Sequence, residues 1–117
     1  MPEKRDESFS SRNRLRRSSD FQVVFSRGKR AATEDFVLLI LPNHLPLSRL
    51  GIQVRAKIGS AVKRNKIKRI VREVFRKMKD NFSQSVDVIF IARAGMVGID
   101  FHRFEEELKR SLRKWMR

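Results

Sequence analysis

The chain has 117 residues, with 28 Lys plus Arg against 13 Asp plus Glu, a net charge of +15 and no cysteine. That length suits one domain with a modest core, and the lack of cysteine excludes disulfides, thiolate nucleophiles and cysteine metal sites. The cationic excess calls for a polyanionic partner, of which nucleic acid is the commonest.

Residues 1–13 are polar and aperiodic, and are expected to be a disordered or loosely held basic tail ahead of a single domain over 14–117. Arg12, Arg14, Arg16 and Arg17 form a basic cluster that runs into Ser18-Ser19-Asp20, a capping signature for a short helix ended by Gly28. Glu34–Leu41 reads as a strand apolar on both faces, broken by the Pro42–Pro46 loop. Arg49–Arg55 alternates, with Leu50, Ile52 and Val54 turned inward.

Gly59-Ser60 then starts a helix that runs to about Lys79. At 100° per residue, Ile67, Ile70, Val71, Val74 and Met78 fall on one side with Phe75 at the edge. Asn65, Lys68, Arg69, Arg72 and Arg76 fall on the other. Between Arg55 and Lys79 stand eleven Lys or Arg and one acidic residue, Glu73. A merely solvated face would interleave carboxylates, because like charges at i,i+4 destabilise a helix. A membrane surface or a protein partner could also take a basic amphipathic helix. The aliphatic back of this one looks like the packing face of a globular core, and the cationic row suits a phosphate backbone.

Val86–Arg93 is a further apolar strand, and Asp100 caps a last helix with Phe101, Phe104, Leu108, Leu112 and Trp115 as its stripe. The order αββαβα predicts an α+β, single-domain two-layer sandwich on a small mixed sheet, with the first two strands paired antiparallel.

No catalytic constellation stands out. His44 and His102 belong to no triad or metal pair. Glu105-Glu106-Glu107 fits the charge preference of a helix N-terminus. The longest apolar run, Phe36–Leu41, is too short for a membrane span, and the N-terminus has no apolar signal core. A cytoplasmic protein with no membrane contact is expected.

The run from Lys57 through Arg64-Asn65-Lys66-Ile67-Lys68-Arg69 to Arg72 resembles the signature helix of the bacterial ribonuclease P protein subunit. Asn13–Arg17 with Asp20-Phe21 and Val24-Phe25 is similar to that family's N-terminal region, and Ile91-Ala92-Arg93 to the end of its last strand. The likeness spans about residues 12–115. It implies the non-catalytic protein of a ribozyme holoenzyme, an endoribonuclease that removes the 5′ leader of precursor tRNA. The RNA subunit would hold the catalytic Mg²⁺ and perform the hydrolysis; the protein alone would bind no cofactor and need no protein partner.

Carried over residue by residue, Lys57, Arg64, Asn65, Lys66, Lys68, Arg69, Arg72 and Arg76, with the Arg12–Arg17 cluster and Arg93, would contact RNA. Lys66 keeps a charge where the family often has an arginine, but loses its bidentate fork. Phe21, Phe25, Phe36, Leu39 and Arg55 would form the leader cleft between the first helix and the sheet. Leu39 stands where some members carry a tyrosine, so stacking would rest on Phe. Phe21 and Phe25 also fit an ordinary i,i+4 core pair, and Arg93 also fits a strand-end cap.

The resemblance further implies a left-handed crossover through the basic helix, although right-handed ones are about fifty times commoner. Two rivals share some of these features: a small ribosomal or RNA-chaperone-type protein without processing activity, and an independent nuclease built on His102 or Glu105–Glu107.

Overall fold

The computed structural model describes residues 11–117. Its elements are α1 (Ser18–Arg27), β1 (Lys29–Ala32), β2 (Phe36–Pro42), β3 (Arg49–Gln53), α2 (Ala61–Met78), β4 (Val86–Ala92) and α3 (Phe101–Ser111), joined by short 3-10 turns. The four strands form one mixed sheet in the order β1-β2-β4-β3. This is a small α+β domain of three helices and four strands.

Two expectations need correction. The order αββαβα lacks β1, a short charged strand that pairs antiparallel with β2 across the Thr33–Asp35 turn. Such a strand blunts a sheet edge and carries no hydrophobic alternation to announce it. The expected pairing of Glu34–Leu41 with Arg49–Arg55 does not occur either. β4 lies between them, antiparallel to β2 and parallel to β3. The connection from Asn43 to Ser48 is not a tight hairpin; it wraps the start of β4, where Asn43 N–H donates to the Ser85 carbonyl (3.1 Å) and Val86 N–H to Ser48 Oγ (3.0 Å). Apolar on both faces, β4 belongs in the centre, and β3, with Gly51 and Gln53, at an edge.

The strand pleat divides the core in two. Phe36, Leu38 and Ile40 of β2 and Val86, Val88 and Phe90 of β4 face the layer made by α2 and α3. There Phe104 stands edge-on to both Phe36 and Phe90, each pair with centroids 5.7 Å apart. Leu39 and Ile89 face the other way and meet Leu15 and Val24 of the α1 side. A charge network ties α1 down as well: Arg49 spans Asp87 (2.7 Å) and Asp20 of α1 (3.4 Å). Asp20 is thus an anchor to β3, while Arg17, the residue at the α1 N-cap, makes no side-chain cap.

Residues 11–13 of the segment expected to be loose are held in place. Ser11–Asn13 form a 3-10 turn, buried Asn13 donates from Nδ2 to the Ser48 carbonyl (3.0 Å), and Leu15 N–H reaches the Leu50 carbonyl (2.9 Å). Residues 1–10 of that expected tail lie outside the described residues.

Candidate nucleic-acid interface

α2 begins where Ser60 Oγ accepts the Lys63 N–H (3.3 Å). It buries Ile67, Val71, Val74, Phe75 and Met78, so its opposite side is held stiffly outward. Asn65, Lys66 and Arg69 are exposed there. Lys68 and Arg72 are half-buried and line a groove of about 220 Å³ against the strand-like segment at Arg14–Arg16, with Phe21 and Gly51 in its wall. Burial, and then the nearby Arg14 guanidinium, lower the Arg72 pKa. Among the described residues four cations, Arg14, Arg16, Lys68 and Arg72, and no carboxylate line this groove, a concentration of positive charge that suits an anion.

The other predicted cations are not equivalent. Arg64 Nε donates to the Gly59 carbonyl (3.1 Å) and braces the helix start. Arg76 is paired with Glu73 at 2.6 Å, which holds that carboxyl below its ordinary range. Arg12, Arg16 and Arg17 are exposed around the start of α1.

On the α1 face, Gly51 explains the placement of Phe21. A Cβ at position 51 would fall 2.5 Å from Cζ of Phe21, so only glycine lets that ring lie on the sheet. Phe21 packs on the Leu15–Leu39 cluster while staying partly open, and Phe25, 6.4 Å away between centroids, is 44% exposed. Phe25 is therefore no core residue. Leu39 does face α1, and Arg55 and Lys57 join Val37, Ile91 and Arg93 in a groove of about 360 Å³ along the same face. Arg93 also donates to the Thr33 carbonyl (2.6 Å), so it caps the turn between β1 and β2 as well as lining the groove.

Phe36 is the exception, a correction to the predicted cleft. It is fully buried on the opposite face, because positions 36, 38 and 40 point to α2 and α3. Val37, of the opposite parity, lines the groove on the α1 face. Neither Val37 nor Gly51 stood out in the sequence, although a lone glycine inside a strand often marks close approach of another group.

Residues 9–116 match the family described as Ribonuclease P. The ribonuclease P protein component of Thermotoga maritima is 41% identical over 112 residues, covering 92% of this chain and 96% of that protein. The one from Caldanaerobacter subterraneus subsp. tengcongensis is 38% identical over 101 residues, covering 86% of this chain and 87% of that protein. Among solved structures, the Staphylococcus aureus RNase P protein superposes with a TM-score of 0.81 at 33% identity, covering 90% of this chain and 98% of that one. The chain belongs to the ribonuclease P protein family. Membership makes it a protein component in tRNA processing, an RNA-binding part of an endoribonuclease holoenzyme that works with an RNA subunit and a substrate.

His102 and Glu105–Glu107, the residues of the rival nuclease reading, lie together on α3. His44 and His102 are exposed and far apart in the chain. Glu105 pairs loosely with Lys109 (3.8 Å) and Glu107 with Arg103 (3.4 Å). Arg103 also holds buried Asp35 (3.1 Å). Burial, and then hydrogen bonding to Asp35, push the Glu107 carboxyl up. Among the described residues no three His, Cys, Asp or Glu side chains gather as metal ligands, and no helix is long and apolar enough to cross a membrane.

Proposed function

We propose that this protein binds the catalytic RNA of ribonuclease P through the exposed side of α2 and the Arg12–Arg17 segment, and receives the 5′ leader of precursor tRNA on the α1 face. Leader bases stack on Phe21 and Phe25 over Leu39, Val37 and Ile91, while Arg55, Lys57 and Arg93 meet leader phosphates. The convergence of Arg14, Arg16, Lys68 and Arg72 beside the Phe21 ring carries this reading, because it joins a phosphate-binding groove to a stacking surface. The protein's own residues bind and orient RNA. In this reading the Mg²⁺ and the hydrolysis belong to the RNA subunit, which acts with this protein in the cytoplasm; among the described residues no three His, Cys, Asp or Glu side chains gather as metal ligands.

Reconstitution with a bacterial ribonuclease P RNA tests this. Cleavage of precursor tRNA at low Mg²⁺ should depend on both components, and the protein should favour leader-bearing substrate over mature tRNA. Cleavage by the protein alone would revive the nuclease reading. No stimulation by the protein would leave an RNA-binding protein without a processing role.

A further inference from the structure

A second cationic surface lies at the far end of α2, about 15 Å along the helix from Lys68 at 1.5 Å per residue. Here a groove of about 490 Å³ has Met78 and Met116 in its floor and Asn81, Lys109, Arg113 and Arg117 around it. Its walls are pre-set. The segment after α3 is strapped back onto the end of α2, with Ser83 N–H donating to the Trp115 carbonyl and Arg117 N–H to the Asn81 carbonyl, both at 2.9 Å. Phe82 and Met116 form an antiparallel bridge between the two.

The helix dipole accounts for Lys109 and Arg110 in the last turn of α3. It does not account for Arg113, Lys114 and Arg117, which follow the end of the helix at Ser111. Among the described residues Arg110, Arg113 and Lys114 have no ion-pair partner, and Lys109 has only Glu105 at 3.8 Å. Lys109, Arg113 and Arg117 line the same groove, Arg117 also donating from its guanidinium to the Asp80 carbonyl (2.6 Å), and like charges sharing a groove favour an anion among them.

We propose that this groove is a second RNA-binding site that takes single-stranded RNA, separate from the α2 and α1-face surfaces and independent of their assignment. A phosphate sits among Lys109, Arg113 and Arg117, and the attached base lies on the methionine floor, where thioether sulfur meets an aromatic edge favourably. The Asn81 side chain stands where it meets the base edge. Because the walls are already strapped in place, binding costs little ordering.

Trp115, the one tryptophan in the chain, is half-buried on the strap beside the groove and reports on it directly. The full-length protein is titrated at low salt with an oligouridylate of about a dozen nucleotides, following Trp115 emission and, separately, the anisotropy of labelled oligonucleotide. Saturable quenching is expected, and it should persist in the Lys68→Ala/Arg69→Ala/Arg72→Ala variant. In Lys109→Ala/Arg113→Ala, whose side chains are exposed, the quenching midpoint should move to about fivefold higher RNA or more with the melting temperature unchanged. Arg113→Glu alone provides a second variant should the double one fold poorly, and should weaken quenching at least as much. RNA that binds by anisotropy without perturbing Trp115, or quenching at the wild-type midpoint in the groove variants, overturns the proposal. Neither result touches the ribonuclease P assay.

Discussion

On one face of the sheet, Phe36, Leu38, Ile40, Val88 and Phe90 are sealed beneath α2 and α3; on the other, α1 covers Leu39 and Ile89, while Val37 and Ile91 floor an open groove. Val23 and Phe25, each 44% exposed, add apolar surface to α1 that no other described element covers. The closed face is built for stability. The half-covered one keeps apolar and cationic groups within reach of an outside molecule, which is how a binding surface differs from a core.

Phe36→Ala should show the largest effect, because truncating a fully buried phenylalanine costs about 3–5 kcal/mol. Thermal denaturation should drop sharply, and every RNA-dependent activity should fall with the folded population. A small change in melting temperature would put Phe36 back in the cleft. Lys68→Ala/Arg69→Ala/Arg72→Ala should leave melting nearly unchanged, yet flatten the salt dependence of binding to the catalytic RNA by about two to three phosphate equivalents, each worth roughly 0.7–0.9 in the log–log slope. An unaltered slope in the folded variant would move the main RNA contact to the Arg12–Arg17 segment.

Phe21→Ala sharpens the contrast, since the ring packs on the Leu15–Leu39 cluster and also walls the groove of Arg14, Lys68 and Arg72. Holoenzyme affinity for precursor tRNA with several leader nucleotides should fall by about five- to a hundredfold, the range of base–aromatic stacking. Mature tRNA should be little affected, and the thermal loss should stay well below that of Phe36→Ala. Equal losses on both substrates would assign Phe21 to packing alone.

The smallest effect belongs to Glu107, under the closed face. Its folded pKa is raised, so the stabilisation it brings is complete below its unfolded pKa, about 4.3, and is lost as pH rises through the folded value. Glu107→Gln should therefore raise the melting temperature by a few degrees at neutral pH, with the gain fading as the solution is acidified below the ordinary glutamate range. A loss of stability at neutral pH would show that the Arg103 ion pair outweighs the burial of charge.

The helices were the legible part of this chain. Ser60 and Asp100 cap α2 and α3 as their positions predict, and the apolar spacing along α2 marks buried Ile67, Val71, Val74 and Met78, with buried Phe75 at the edge of the stripe and Ile70 only half-buried. Capping and periodicity act within a few residues, so sequence reports them directly, as it does the cationic row and the family likeness. Only the tertiary structure decided the rest. β2 is apolar at every position from Phe36 to Leu41, so nothing local tells which parity meets α2 and α3 and which meets α1; packing put Phe36 in the core and Val37 in the groove on the α1 face. The insertion of β4 between β2 and β3 depends on how the Asn43–Ser48 loop crosses the sheet. The groove joins Arg14 to Lys68 and Arg72, more than fifty positions apart, because Leu15 hydrogen-bonds the edge of β3 and glycine at 51 leaves room for the Phe21 ring. Each of these rests on contacts between distant segments, which no local pattern of residues encodes.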